Sequence, residues 1–252
     1  MVSMTPSTGV DPPYLEPFLG IVFDLDSTLV VSRHDFGRMR REVIRLAERY
    51  GVPAEHLSPE EPLHRILERA RAEMQGSGFP ATLLFRFEAD FAALLNSIEL
   101  EALPRTRARE GAAGLLQGLV DRDFRLGILT RSSEEFCRKA LAQTGLARYF
   151  SHLRTRSSPG PAKPSPDALR ALLQAMEVPR DRALFVGDQL LDADCARAAG
   201  VRFYAVLPPP DEPTQLTEDR FRLSGATAVA RDLEGLAVQL DVLPPHSALP
   251  AR

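Results

Sequence analysis

Asp24 and Asp26 stand two residues apart at the end of a short apolar run, Gly20-Ile21-Val22-Phe23-Asp24-Leu25-Asp26-Ser27-Thr28. The run is too apolar for a surface loop and reads as a buried strand. Two carboxylates at the C-terminal mouth of such a strand repel each other and lose hydration. They are tolerated only where a cation or a proton offsets the charge. The pair therefore points to a bound divalent metal and a nucleophilic carboxylate. Further along, Thr130 closes the run Gly127-Ile128-Leu129-Thr130, and Lys163 sits in Pro161-Ala162-Lys163-Pro164-Ser165-Pro166. Asp188 and Asp192 follow Phe185-Val186-Gly187. Singly, each has a plainer reading: a turn acid, a strand-end threonine, a solvated loop lysine, or helix N-terminal acids that complement the dipole. Together, each at a strand end or in a loop before a helix, they read as one site.

Five apolar runs predict the strands that must position these groups: Leu19–Leu25, Phe124–Thr130, Ala183–Val186, Arg202–Leu207 and Thr227–Ala230. Helical patterns lie between most of them. Ser132 with Glu135 predicts a capping box, Ser165-Pro166 an N-cap and first helical residue, and Gly145 and Gly200 helix stops. Strands alternating with helices indicate a parallel sheet covered on both faces, with ligands beyond the strands' C-terminal ends. Between Val31 and about Leu103 the alternation breaks. Three amphipathic patterns appear there, through Phe36, Met39, Val43 and Leu46, through Leu63, Ile66, Leu67, Ala70 and Met74, and through Leu83, Leu84, Phe87, Phe91 and Leu95. The expected organisation is a loose tail over 1–17, an α/β core over 18–30 and 104–240, a helical insert over 31–103, and a second tail over 241–252. The Pro-rich pieces Leu207–Pro213 and Leu243–Pro250 read as surface loop and tail.

Composition narrows the function classes. A hydrophobic content of 44% is ample for a core, and a net charge of −3 implies no general affinity for nucleic acid or anionic membrane. No apolar stretch is long enough for a membrane span, and the N-terminus lacks the pattern of a secretory signal, so a cytoplasmic location is expected. Cys137 and Cys195 lie in helical patterns and read as small buried thiols. Of the 31 Lys and Arg residues only Lys139 and Lys163 are lysines, which raises the question of why Lys was kept at 163.

The set Asp24-x-Asp26-x-Thr28, Thr130, Lys163 and Gly187-Asp188-x-x-x-Asp192, in that order, resembles the haloacid dehalogenase superfamily in its phosphatase branch. The stretch from Asp192 to Ala199-Gly200 is similar to the phosphoglycolate phosphatase-like group. The resemblance spans roughly residues 18–235. It implies a Rossmann-like three-layer α/β core with a parallel central sheet, and it makes the helical insert an all-helical cap domain over the active site. It implies a phosphatase in which Asp24 attacks phosphorus to form an aspartyl-phosphate, and Asp26 protonates the leaving alcohol and then activates water. Mg²⁺ would be held by Asp24, the backbone carbonyl of Asp26 and Asp188. Asp192 would support the metal's waters or hold Lys163. Thr130 and Lys163 would bind the phosphoryl group, with Thr28, Arg131, Arg33 and His34 as further substrate contacts. A compact ammonium suits so crowded a site better than a planar guanidinium, which gives Lys163 a reason to be lysine.

The chain departs from the family pattern at two places. Ser27 replaces the frequent Gly of the first motif, and Arg131 the usual Asn or Gly after the second-motif Thr. The acid Asp26 argues against carbon–halogen cleavage, and neither lysine lies in the cap, where phosphonate-cleaving relatives carry one. Six Arg against three acids from Arg33 to Arg49 make the first cap helix basic. Arg33, His34 and Arg38 are expected near the pocket, and His56, His64, His152 and His246 at the surface. The expected function is Mg²⁺-dependent hydrolysis of a small phosphorylated metabolite by a monomer or homodimer, without a nucleic-acid or membrane partner. The alternatives are a phosphosugar mutase and a non-catalytic phospho-acceptor or interaction module.

Overall fold

The structure is a computed structural model that describes residues 18–210 and 215–242. A six-stranded parallel sheet forms the centre. Its strands are β1 (Gly20–Phe23), β4 (Arg125–Leu129), β5 (His152–Arg154), β6 (Ala183–Gly187), β7 (Arg202–Val206) and β8 (Ala228–Ala230), in the order β5-β4-β1-β6-β7-β8. All five predicted runs become strands. The sixth, β5, was not anticipated: three half-buried residues at a sheet edge carry no apolar run to announce them. β1 lies between β4 and β6, with Phe23 opposite both Ile128 and Val186. Neighbouring strand order reverses around β1, and the crevice beyond its C-terminal end is where such sheets bind ligands.

Alternation along the strands divides the core. Ile21, Phe23, Ile128 and Val186 point into one cluster, closed by α4 (Ala112–Val120), α5 (Glu134–Gln143) and α9 (Leu233–Gln239). Val22, Phe185, Phe203 and Ala205 point into the other, closed by α6 (Pro166–Ala175), α7 (Leu190–Ala199) and α8 (Glu218–Leu223). Both cysteines are fully buried in these clusters and free. Val242 belongs to the first cluster, so the chain stays packed past the point where the second tail was expected to begin. Pro208 and Pro209 are buried where a surface loop was expected. The remaining tail residues, 211–214 and His246 lie outside the described residues.

The three amphipathic patterns form α1 (Phe36–Arg49), α2 (Leu63–Gly76) and α3 (Ala81–Ala102), which share their own apolar cluster around Val43, Ile66, Met74 and Phe87. Phe36, read as part of the buried stripe of α1, is half exposed at the helix start. The chain leaves for these helices through β2 (Val30–Val31) and returns through β3 (Arg107–Ala108), and the two pair antiparallel. This two-stranded ribbon had no sequence signal, because two residues are too few to show a period.

A second joint lies at the C-terminal half of α3. Glu99 is buried and accepts from Arg156 Nη1 at 2.6 Å and Nη2 at 3.1 Å, and from the Ser133 N–H at 2.9 Å. Asn96 accepts from the Ser133 hydroxyl at 2.6 Å. Arg156 Nη1 also donates to the Arg131 carbonyl at 2.8 Å, so one ion pair ties α3 to the loop after β4. Removing one partner of a buried ion pair leaves the other charge uncompensated. Glu99→Ala should therefore lower stability by about 3 kcal/mol, read as a shift of the urea denaturation midpoint. Glu99→Gln, which keeps an acceptor for the Ser133 N–H, should cost less.

Candidate active site

The C-terminal ends of β4, β1 and β6 bring Thr130, Asp24 and Asp188 side by side. The sheet ladder runs one step past β1, with the Asp24 N–H donating to the Val186 carbonyl at 2.9 Å. That places the Asp24 side chain on the same face as Val22, where α6 and α7 pack. Lys163, in the loop before α6, donates to Asp24 Oδ1 at 2.8 Å and to Asp192 Oδ1 at 2.7 Å. Its ammonium also stands 5.6 Å over the Phe185 ring. The Leu25 N–H donates to the same Asp24 oxygen at 2.7 Å.

Asp192 lies in the first turn of α7, and its Oδ2 accepts from the Gln189 N–H at 3.1 Å. It thus caps a helix and holds Lys163 at once. Gly187 makes this possible: a Cβ there would come within 2.4 Å of Asp192 Oδ2. Asp188 is fully buried, accepting from the Thr28 hydroxyl at 2.6 Å and from Gln189 Nε2 at 2.8 Å. Thr28, expected to contact substrate, instead spends its hydroxyl on orienting Asp188.

One ammonium pairs with two of the three carboxylates gathered here. Asp24, Asp188 and Asp192 each offer an oxygen within 4.8 Å of the others. Burial would pull the Lys163 ammonium down, but Asp192 and Asp24 overrule it and hold its proton more tightly than an ordinary lysine's. Burial raises Asp188 well above the usual carboxylate range, with the charges of Asp24 and Asp192 adding to it. Burial likewise pushes Asp192 up to about 6 against the pull of Lys163. The pocket carries more negative charge than its own cation offsets. An all-oxygen donor set with this charge excess fits a hard divalent ion such as Mg²⁺.

Asp26 stands apart from that cluster. Its Oδ1 accepts from both the N–H and the hydroxyl of Ser32, and its Oδ2 lies 3.9 Å from His34 Nε2. Burial raises Asp26, partly offset by His34 and Ser32, with Asp24 adding to the rise. A carboxyl that keeps its proton more readily suits a general acid. Ser27, between the two acids, has φ 59°, a left-handed conformation that is uncommon for any residue but Gly. Arg109 braces the turn, donating through Nη1 to the Ser27 carbonyl and through Nη2 to the Leu207 carbonyl, both at 2.6 Å.

The Thr130 hydroxyl accepts from the Ser132 N–H at 3.1 Å, so its own hydrogen remains free to donate. The cap of α5 is Ser133, whose side chain accepts from the Phe136 N–H, one residue later than the sequence suggested. Arg131 is largely withdrawn from water, within electrostatic reach of Asp24 and Asp192 on one side and Glu68 of α2 on the other. His64 of α2, expected at the surface, is half-buried and pushed down by burial and by Arg131. α2 therefore lies within electrostatic reach of the loop after β4. Arg33 is exposed, and Arg38 forks onto Glu101 of α3 instead of facing the pocket. A cleft of about 550 Å³ lies between α3 and α5, over Asn96, Ser133 and Arg156, but it does not open onto the acids. Ser32, Arg109, Gln189 and the Glu99–Arg156 pair shape the site without having stood out in the sequence. A serine, a glutamine, a glutamate and two arginines in a chain rich in charged residues carry no distinguishing pattern.

Comparison with known proteins bears on the family and the fold. The family model for haloacid dehalogenase-like hydrolases matches residues 18–200. A phosphoglycolate phosphatase of Rhodospirillum rubrum is 31% identical over 72% of this chain and 76% of its own length. An N-acetylmuramic acid 6-phosphate phosphatase of Pseudomonas putida is 26% identical over 79% and 89%. Among solved structures, a family hydrolase from Deinococcus radiodurans with bound phosphate and sodium superposes with a TM-score of 0.59 at 23% identity, covering 91% of this chain and 99% of that one. The match runs through the strand ends that carry the acids, the threonine and the lysine, and the chain belongs to the haloacid dehalogenase-like hydrolase family.

Proposed function

We propose that this chain is a Mg²⁺-dependent phosphatase that hydrolyses a small phosphomonoester in two steps through an aspartyl-phosphate on Asp24. The observation that carries the reading is the division between the two acids of the first motif. Donors from Lys163 and the Leu25 N–H converge on Asp24, while burial pushes Asp26 toward its protonated form. A nucleophile and an acid are thus separated by environment within three residues.

Asp24, Asp188 and the backbone carbonyl of Asp26 would hold the metal, with Asp192 beside them. When bound, Mg²⁺ supplies positive charge that offsets the phosphoryl oxygens and orients them for in-line attack. The protein's own groups do the rest. Lys163 keeps the Asp24 carboxylate aligned, and the Thr130 hydroxyl and the Arg131 guanidinium bind phosphoryl or neighbouring anionic oxygens. Asp26 gives its proton to the ester oxygen of the departing alcohol, then takes one from the water that attacks the aspartyl-phosphate. The relatives described above are named for two different phosphomonoesters, so the class of substrate carries over and not the compound.

Three outcomes test this reading. With p-nitrophenyl phosphate and Mg²⁺, Asp24→Asn should abolish phosphate release. Asp26→Ala should slow turnover while leaving an acid-stable phosphoprotein detectable after quenching with labelled substrate. Full activity of Asp24→Asn would sink the mechanism. Arg131→Ala should raise KM about tenfold or more, as expected for loss of a charged hydrogen bond, with a smaller effect on kcat.

A pH dependence tests the cation site separately. In the absence of metal, Asp192 at about 6 lies above the ~3.9 of an unfolded-chain Asp, and Asp188 is raised in the same direction. The folded protein then binds these protons more tightly than the unfolded chain. That contribution to stability is complete below about pH 4 and is lost as pH rises through about 6. The metal-free melting temperature should fall across that window, and Mg²⁺ should raise it more at about pH 7 than at about pH 5. A melting temperature indifferent to Mg²⁺ at neutral pH would count against the cation site.

A further inference from the structure

The two-step reading leaves one buried side chain without a task. His34 follows the ribbon strand β2, and its side chain is only 2% exposed. The Phe136 ring of α5 packs against it at 4.7 Å between centroids, and the Phe36 ring meets it edge-on at 5.8 Å. Neither imidazole nitrogen has a hydrogen-bond partner. Among the described residues, the one other fully buried side-chain polar atom in that condition is Glu61 Oε2. A buried polar group left unpaired costs about 1–3 kcal/mol. A ring needed only to fill the slot between two phenylalanines would do better as a third one. The imidazole is therefore placed for a partner that arrives from outside the chain.

The nearest acid to Nε2 suggests where that partner sits. It lies 3.9 Å from Asp26 Oδ2. Asp26 Oδ1 is already taken by Ser32, so Oδ2 is the oxygen left to carry the acid's proton. The separation is too long for a direct hydrogen bond, yet a single oxygen atom about 2.8 Å from each group spans it. Both groups thus stand within reach of one shared atom, beside the oxygen that must protonate the leaving group.

We propose that His34 Nε2–H and the Asp26 carboxyl hold the same oxygen atom: the ester oxygen of the substrate in the first step and the attacking water in the second. This rests on the phosphatase reading above. In the first step an Asp24 oxygen bonds to phosphorus and the bond from phosphorus to the ester oxygen breaks. Its electron pair goes to the ester oxygen, which takes the Asp26 proton. In the second step the water oxygen bonds to phosphorus and its proton passes to Asp26. The bond from phosphorus to Asp24 then breaks, and its pair returns to the carboxylate. His34 donates a hydrogen bond in both steps and keeps its proton throughout. The imidazole is thereby a catalytic residue that stabilises negative charge as it develops on the ester oxygen.

Such a hydrogen bond matters most when the leaving group is poor. The test compares kcat/KM for phenyl phosphate and p-nitrophenyl phosphate in the presence of Mg²⁺. In His34→Phe the phenyl-to-nitrophenyl ratio should fall about tenfold relative to the unsubstituted protein, since the better leaving group needs less help. His34→Gln, whose amide reaches toward the Nε2 position, should recover part of the ratio. His34→Asn, whose amide stops short of it, should not, and carries the same expectation should His34→Phe fail to fold. An unchanged ratio in an active, folded Phe or Asn variant, whatever the absolute loss, would overturn the role of His34 and leave the phosphatase reading intact. No phosphate release from either ester by the unsubstituted protein would overturn both.

Discussion

The site depends on one ammonium shared between carboxylates. Lys163 lies between Asp24 and Asp192 at 2.8 and 2.7 Å, almost wholly out of water, with Asp188 buried beside them. Low-dielectric surroundings strengthen each attraction and make the unbalanced charge expensive. Everything nearby is arranged around that tension. Gly187 lets Asp192 approach, Gln189 and Thr28 hold the oxygens of Asp188, and the Phe185 ring lies beneath the ammonium. A fold stable with this excess has a pocket in which added positive charge is welcome. A divalent cation there would offset the excess and draw in an anionic phosphoryl group.

The neighbouring acid escapes the tension by geometry. Asp26 is two residues from Asp24, yet a left-handed Ser27 and the bracing Arg109 turn the chain so that its carboxyl meets Ser32 and His34 instead of Lys163. Burial without a full cation favours the protonated form. Two identical side chains thereby acquire different chemistry. The cost is borne by the backbone, since a non-glycine residue in the left-handed region is strained by about 1–2 kcal/mol. The carbonyl contacts of Arg109 help to hold it there.

The cap is joined to the core in two places. The paired strands β2 and β3 fix its exit and return, and Glu99 and Asn96 of α3 fix the loop that presents Thr130 and Arg131. Substrate-facing residues of the core are thus held from the cap side. Arg131 connects the two electrostatically, standing between the acids of the core and Glu68 of α2.

Much of this was legible in the sequence, for a physical reason. Strands buried on both faces must be continuous apolar runs, so Gly20–Phe23 and Ala183–Gly187 announced themselves, and the polar residues that end them stood out against the background. The helical insert showed its period in the same way. The sequence by itself therefore determined the α/β order, the helical insert, and the acids, threonine and lysine that gather at the strand ends. What it could not determine was pairing at a distance. The edge strand β5, the ribbon β2–β3 and the Ser133 cap rest on two or three residues whose partners lie elsewhere in the chain. The same holds for Ser32 on Asp26, Arg109 on Ser27, Glu99 on Arg156 and the empty-handed imidazole of His34. A serine, an arginine or a histidine has no pattern until the fold supplies its neighbour. Burial then decides whether that neighbour is a partner or a counter-charge, or whether the group is left unpaired.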